Sequence, residues 1–169
     1  MRRRPEPELM DAPEQARAYA GADLSEPNRF FVERVLEHLD APAGRLIDLG
    51  CGPGDICLRL ARARSGWHIT GLDAGVNMLA LARAARDSAG LHEGVSFVHA
   101  RLPEHGLSGR FDAIVSNSLL HHLVEPMTLR RAISELASPG AFVRVVDLHR
   151  PRDATTAQAL VGECSGRRP

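Results

Sequence analysis

The chain has 169 residues, 21 acidic and 21 basic side chains, and 44% hydrophobic residues. This length and balance favour a single globular domain with a buried core. They argue against a nucleic-acid partner, because no arginine cluster with interleaved aromatic residues occurs. No apolar run reaches membrane-spanning length, and no apolar stretch follows the basic start as in a signal peptide. We therefore expect a cytoplasmic protein without a membrane partner.

The residues before the first strand are predicted to form helices. Asp11–Tyr19 contains a capping acid, an early proline and several alanines, which together favour the start of a helix. Pro27–Leu39 is predicted to form a second helix, because its apolar residues recur on one face. We assign residues 1–44 to an N-terminal helical cap, residues 45–150 to a core and residues 151–169 to a C-terminal helix and tail.

From Arg45 onward, apolar strands alternate with helical segments. Helices are predicted near Asp55–Arg64, Gly75–Asp87 and Glu125–Ala137, with short apolar strands between them. This alternation predicts an α/β fold, a doubly wound parallel sheet with right-handed crossovers and helices on both faces.

The most informative segment is a glycine-rich run, Leu46–Asp55. A short buried strand is predicted to end in three glycines at alternate positions, which bring bare backbone close to a ligand. A dinucleotide site would place another glycine where Asp55 stands, and an acid at a helix start would repel a pyrophosphate. Asp48 instead suits an ammonium group. The pattern therefore favours a ligand without phosphates, with a nicotinamide oxidoreductase as the weaker alternative.

A second acid, Asp73, ends the next predicted strand, Trp67–Asp73. A carboxylate at this place can accept hydrogen bonds from both hydroxyls of a ribose. The alternative is a helix cap, since Asp73 also precedes the next helix. Further apolar segments with polar ends follow at Val95–Pro103 and Phe111–Leu123. In Ser138–Asp147 a proline–glycine turn is predicted to precede an apolar strand.

Taken in order, these segments resemble the class I S-adenosylmethionine-dependent methyltransferases. The resemblance implies a Rossmann-like strand order of 3-2-1-4-5, with the ligand between strands one and four. It implies S-adenosyl-L-methionine as the cofactor and methyl transfer (EC 2.1.1.-) as the activity. The family often has an aspartate where Arg101 stands, so we expect adenine to be held there by the backbone of residues 100–102, with Arg101 stacking on the ring; the alternative is a solvated Arg101 side chain. The cofactor-binding residues that we predict on this basis are Tyr19, Asp48, Gly50, Cys51, Gly52, Gly54, Asp73, Ala74, Met78, Ala100, Arg101, Leu102, Asn117 and Ser118.

His121 and His122, just after the fourth strand, are the predicted catalytic residues. An imidazole can take a proton from a weakly nucleophilic acceptor at neutral pH; the alternative is a structural role in the turn. Adjacent histidines on a helix are expected to point apart, and no third ligand is spaced nearby, so no metal site is predicted. Asp147 and His149 are expected either to face the acceptor or to bond to each other.

The family usually continues with a helix and an antiparallel strand pair. Here residues 151–161 can form the helix, but residues 162–169 cannot supply two strands. We therefore expect an exposed edge at the fifth strand, and a homodimer could form through it. A small molecule is the expected methyl acceptor. The alternative is a non-catalytic protein or a truncated subunit that binds S-adenosylmethionine.

Overall fold

The computed structural model describes residues 9, 11–149 and 151–164, with the side chains of residues 160–164 left out. Its centre is a five-stranded sheet in which every neighbouring pair is parallel, in the order β3-β2-β1-β4-β5. The predicted strand order is confirmed. The strands are β1 (Gly44–Leu49), β2 (Trp67–Asp73), β3 (Val95–His99), β4 (Phe111–Asn117) and β5 (Ala137–Val146).

Helices precede β1, follow β5 and connect the strands, except between β3 and β4. They are α1 (Pro13–Gly21), α2 (Ser25–Leu36), α3 (Asp55–Ala63), α4 (Val76–Ser88), α5 (Met127–Leu136) and α6 (Ala154–Cys164), with a single 3₁₀ turn η1 (Leu120–His122). None of the helices described is long and apolar enough to cross a bilayer.

The two faces of the sheet bury separate apolar cores, because successive side chains of a strand point to opposite faces. Leu46 of β1 packs with α2, α3 and α4, through residues such as Val35 and Leu79. Its neighbour Ile47 packs on the other face with Leu129 and Leu136 of α5. Helices therefore cover both faces, as predicted from the alternation of strands and helices.

The register of the sheet determines where a ligand can bind. Asp48 of β1 pairs with Gly71 of β2 on one side and with Val115 of β4 on the other. β2 and β3 lie on one side of β1, and β4 and β5 lie on the other, so the strand order reverses here. The carboxyl ends of these three strands form a crevice, which is the usual ligand position in such sheets.

Three local predictions need correction. α2 begins at Ser25 and ends at Leu36, earlier than predicted. The N-cap of α1 is Ala12, which makes no side-chain cap bond; the carboxylate of Asp11 instead accepts hydrogen bonds from α4. The proline–glycine turn does not precede β5 but lies within it, as a bulge between the pairs Phe111–Ala137 and Ala113–Phe142.

Among the described residues, β5 is the last strand and lies at one edge of the sheet. Val143, Val145 and Val146 are each about two-fifths exposed there. The helix expected after this strand is present as α6. Residues 165–169 of the predicted tail lie outside the described residues.

Candidate active site

The glycine loop after β1 is anchored to the end of β2. The backbone N–H groups of Gly50 and Cys51 both donate to the carbonyl oxygen of Leu72, at 2.8 and 3.0 Å. Gly52 has a φ of +52°, and a Cβ atom built there would meet only Cε1 of Tyr19, at 3.9 Å. The backbone at Gly52 therefore faces open space, where a ligand can approach it closely.

The second predicted acid, Asp73, lies against this loop. Its Oδ2 accepts a hydrogen bond from the backbone N–H of Gly52 at 2.8 Å. Its Oδ1 accepts one from the N–H of Gly75 at 2.7 Å. A carboxylate has about four acceptor sites, so capacity for further donors remains.

The alternative role of Asp73 as the cap of α4 is filled by another residue. The carboxylate of Asp11 accepts hydrogen bonds from the N–H groups of Val76, Asn77 and Met78, at 2.9, 2.7 and 3.3 Å. These are the first N–H groups of α4, which have no partner within the helix. Asp73 therefore holds the glycine loop while Asp11 caps the helix.

Two adjoining cavities open at this edge of the sheet. The strand-end cavity, of about 160 Å³, runs past Asp73. The helix-side cavity, of about 450 Å³, runs past Asp48 and between α2 and α3. The two share four residues, Tyr19, Gly50, Gly52 and Asn117. The predicted residues Asp73, Ala74, Met78, Ala100, Arg101, Leu102, Ser118 and His122 line only the strand-end cavity, and Asp48 and Cys51 line only the helix-side cavity.

Gly54, also predicted to bind the cofactor, lines neither cavity. It has a φ of +85°, and a Cβ atom there would lie 2.8 Å from Cζ of Phe97 and 3.0 Å from Cβ of Ala82. The missing side chain allows the start of α3 to pack tightly beside β3 and α4. In the structure, Gly54 therefore has a packing role.

Asp48 is buried at the end of β1, and its Oδ1 has no hydrogen-bond partner among the described residues. Its Oδ2 accepts a hydrogen bond from Sγ of Cys57 at 3.5 Å. Burial raises the pKa of the Asp48 carboxyl from 3.8 to about 7; the Cys57 thiol opposes this shift and the nearby charge of Asp73 adds to it. A buried acceptor without a donor is costly, so this site favours a cationic donor.

Burial also raises the pKa of Asp73, although the N–H groups of Gly75 and Gly52 oppose the shift. The pKa of the Tyr19 hydroxyl is raised by burial and then by the charges of Asp73 and Asp48. The two adjoining cavities together are therefore lined by one buried acid, Asp48, one partly buried acid, Asp73, and the phenol of Tyr19, and are suited to a ligand that brings positive charge and hydroxyl donors.

The two histidines of η1 do not point apart as expected. Their ring centroids lie 4.1 Å from each other, with an angle of 38° between the ring planes. His122 lines the strand-end cavity, whereas His121 does not. Nδ1 of His121 lies 2.8 Å from Oδ1 of Asp147, so His121, not His149, meets that carboxylate. The expectation failed because the Asp147 carboxylate holds the His121 ring on the side where it meets the His122 ring.

Comparison with known proteins identifies the family. A family profile described as a methyltransferase domain matches residues 40–165, which is more than half of the chain. The chain belongs to the methyltransferase domain family. This confirms the resemblance inferred from the glycine loop and Asp73, and it gives no support to a nicotinamide oxidoreductase.

Curated relatives of this methyltransferase domain carry the name ubiquinone biosynthesis O-methyltransferase. One from Erwinia tasmaniensis is 28% identical over 138 residues, covering 80% of this chain and 55% of the relative. One from Stutzerimonas stutzeri is 30% identical over 139 residues, covering 82% and 59%. The chain thus spans between half and three-fifths of the length of these relatives.

A solved structure has the same fold as this methyltransferase domain. It is a SAM-dependent methyltransferase from Geobacter sulfurreducens in complex with S-adenosyl-L-homocysteine. The TM-score is 0.67 at 16% identity, over 90% of this chain and 64% of the other. This similarity extends beyond the glycine loop to nearly the whole described chain.

Sequence reasoning missed several residues of the methyltransferase domain that lie at the cavities. Leu9 lines the strand-end cavity, two residues before the capping Asp11. In the helix-side cavity, Oδ2 of Asp55 accepts hydrogen bonds from Nδ2 of Asn28 at 2.9 Å and from Nε of Arg59 at 2.7 Å. The spacing of Asp55 and Arg59 on one helix face could have indicated their pair. No local pattern indicated Asn28 or Leu9.

Metal ligands are not gathered in this site. Within residues 9, 11–149 and 151–164, no group of three or more histidine, cysteine, aspartate or glutamate side chains is placed to hold a metal ion. Cys51 and Cys57 are both buried free thiols.

Proposed function

We propose that this methyltransferase domain binds S-adenosyl-L-methionine across the two joined cavities and transfers its methyl group to an oxygen atom of a small molecule. The main support is the contact between Gly52 and Asp73, because it places a bare backbone and a carboxylate in one crevice. The family match and the names of the curated relatives support the same chemistry.

The residues present fit the cofactor's chemical groups. Asp48 would receive the ammonium group, since its buried Oδ1 lacks a donor among the described side chains. Asp73 would accept the ribose hydroxyls with the capacity that Gly52 and Gly75 leave over. Tyr19, shared by both cavities, would reach the carboxylate of the methionine part.

The adenine would lie in the strand-end cavity. Its walls are mainly apolar, as a planar base requires. One wall is formed by the end of β2 and the other by the segment that follows β3. The backbone N–H of Ala100 donates to the carbonyl oxygen of Asp73 at 3.0 Å, which fixes the spacing of the two walls. The residues proposed to form these walls are Ala74, Met78, Ala100, Arg101, Leu102, Leu119 and Leu123.

When bound, the cofactor supplies a methyl group already activated by the positive sulfur. The main task of the protein is then to hold acceptor and methyl donor in contact, which can contribute about 7–11 kcal/mol to lowering the barrier. Asn117 and Ser118 end β4 beside Gly50 and Gly52, where the cavities meet. We propose that they form the wall between cofactor and acceptor.

A hydroxyl acceptor must lose its proton during methylation. Of the two predicted catalytic histidines, His122 lines the cavity and is the one we propose to take this proton. His121 would act through its contact with His122. A non-catalytic protein that binds S-adenosylmethionine is the remaining alternative, and it predicts binding without transfer.

We also propose that two copies associate through the β5 edge and that the protein works in the cytoplasm. Exposed Val143 and Val145 on this edge strand support association, because an open strand can pair with another chain. Light scattering of the purified protein tests this, and a monomer over the working concentration range would contradict it. Cell fractionation tests the location.

Methyl transfer is tested with S-adenosylmethionine carrying a labelled methyl group and a protein-free metabolite extract, followed by separation of the labelled products. We expect labelled small molecules whose methyl group is on oxygen. The matched control is Asp73→Ala, which should label far less. Labelled protein or nucleic acid, or no product from wild type that binds the cofactor, would contradict the proposed activity.

A further inference from the structure

A backbone hydrogen bond joins the chain to β5 just after the last paired residue of β4. Asn117 pairs with Val146, and the backbone N–H of Ser118 donates to the carbonyl oxygen of Val146 at 2.8 Å. Ser118 has a φ of +61°, which is unusual for a residue with a side chain. The chain therefore turns sharply at Ser118, and the next residue of the other strand, Asp147, lies beside the turn.

The carboxylate of Asp147 accepts several hydrogen bonds at this turn. Oδ2 accepts hydrogen bonds from the N–H groups of Leu120 and His121, at 2.6 and 3.3 Å. Oδ1 accepts one from the N–H of Leu148 at 2.7 Å and lies 2.8 Å from Nδ1 of His121. Asp147 thus fixes both the backbone of η1 and one of its rings.

This contact determines where the hydrogen of His121 lies. An ionised carboxylate can only accept hydrogen bonds, so Nδ1 of His121 must carry the hydrogen. In the neutral ring, Nε2 then has the lone pair. The hydrogen bond of one ring nitrogen sets the state of the other in this way.

The orientation of His121 affects the cavity through His122. The two rings are in contact, with centroids 4.1 Å apart, and His122 lines the strand-end cavity together with Asn117, Ser118 and Leu119. The side chains of Asp147 and His121 are only 12% and 24% exposed, so little space is left for other arrangements.

We propose that Asp147 is a positioning residue for the acceptor side of the site: it fixes η1, holds His121 with its hydrogen on Nδ1, and thereby keeps the His122 ring at the cavity wall. This inference rests on the proposed function, because the cavity is taken as the place where methyl transfer occurs. Asp147 itself does not line either cavity.

The first test is nitrogen NMR of protein labelled with ¹⁵N-histidine, at a pH well above about 6.5, where an ordinary imidazole is neutral. The His121 signals are assigned from His121→Asn. We expect His121 with hydrogen on Nδ1. His105 is an internal control, because its Nδ1 accepts a hydrogen bond from the N–H of Leu107 and its Nε2 meets Glu135. It should carry its hydrogen on Nε2.

Asp147→Ala should change the His121 pattern, whereas the matched control Glu135→Gln should leave it unchanged. Hydrogen on Nε2 of His121 in the wild type would overturn the inference. So would an unchanged His121 pattern in folded Asp147→Ala. If that variant does not fold, the wild-type spectrum still decides.

The second test separates positioning from cofactor binding. In Asp147→Ala, the dissociation constant for S-adenosylhomocysteine should stay within about twofold of wild type. Methyl transfer in the extract assay should fall by about 10- to 100-fold, since an unpositioned base loses part of its contribution. If Asp147→Ala does not fold, Asp147→Asn is used in its place, because its side-chain oxygen can still accept from the N–H groups of Leu120 and His121.

Equal losses of affinity and transfer would overturn a positioning role. Full transfer activity in Asp147→Ala would overturn it as well. A wild type that binds no S-adenosylhomocysteine would instead contradict the proposed function, and the NMR result would still decide whether Asp147 holds the histidine turn.

Discussion

Asp11 and Asn77 are joined by two hydrogen bonds although 66 residues separate them in the chain. The N–H of Asn77 donates to Oδ1 of Asp11 at 2.7 Å, and Nδ2 of Asn77 donates to the carbonyl oxygen of Asp11 at 2.8 Å. These bonds attach the chain just before α1 to the start of α4. They thereby hold Leu9 and Tyr19 at the strand-end cavity, close to Asp73.

Asp11→Ala should weaken both the fold and the binding of S-adenosylhomocysteine. Loss of a helix cap costs about 0.5–2 kcal/mol in the free energy of unfolding. The matched control is Asp153→Ala, because Asp153 accepts hydrogen bonds from the N–H and hydroxyl of Thr156 at the start of α6. Calorimetry should find weaker binding in Asp11→Ala only. Equal affinities in the two variants would show that the N-terminal attachment does not support the cavity.

Gly52→Ala should mainly weaken ligand binding, whereas Gly54→Ala should mainly lower the stability of the fold. Both positions have positive φ, which costs a residue with a side chain about 1–2 kcal/mol. The added methyl group at position 54 also meets Phe97 and Ala82, so overpacking should cost about 1–3 kcal/mol more in stability. At position 52 it enters the cavity and should mainly weaken ligand binding. Chemical denaturation and calorimetry measure the two effects, and the reverse ranking would contradict the assignment.

Asp73→Ala should weaken the binding of S-adenosylhomocysteine by about 1–3 kcal/mol, because hydroxyl groups of the ligand would lose their acceptor. Asp112→Ala is the control, since it also removes a carboxylate that accepts from a backbone N–H, that of Arg45, at 2.9 Å. Asp112 does not line either cavity. An affinity in Asp73→Ala equal to that of the control would mean that Asp73 only holds the loop.

The stability of the ligand-free protein should fall as pH rises from 5 to 8, in part through Asp48. Its carboxyl keeps its proton up to about pH 7 when folded, whereas its ordinary pKa is 3.8. Between these values the folded state binds more protons, so the free energy of unfolding decreases with rising pH.

The variant Asp48→Asn lacks this titration. Between pH 5 and pH 8, its free energy of unfolding should fall by about 1–3 kcal/mol less than that of the wild type. Asp73 is present in both proteins, so the comparison isolates the titration of Asp48 together with its coupling to Asp73. Urea unfolding at pH 5 and pH 8 gives the difference, and parallel pH profiles of the two proteins would rule out a raised pKa for Asp48.

The sequence was sufficient to predict features that depend on local pattern and on the rules of parallel sheets. The parallel sheet with helices on both faces follows from the alternation of strands and helices. The strand order and the crevice between β1 and β4 were implied by the resemblance to the methyltransferase family. All predicted cofactor-binding residues except Gly54 line one or both cavities. Their individual roles remain predictions that the variants above test.

The features that could not be predicted depend on contacts between distant segments. Asp11 looked like the cap of its own helix, because sequence does not show that α4 begins beside it. The contact between Asp147 and His121 depends on the pairing of the ends of β4 and β5. The tight packing at Gly54 depends on Phe97, which is on a strand two positions away in the sheet.

The most direct test is isothermal titration of the purified chain with S-adenosylhomocysteine, with Asp73→Ala and Asp112→Ala run in parallel. If a single crevice receives the amino-acid and sugar ends of one molecule, wild type and Asp112→Ala bind one equivalent, and Asp73→Ala binds more weakly. A folded wild-type chain that takes up no ligand would contradict the account.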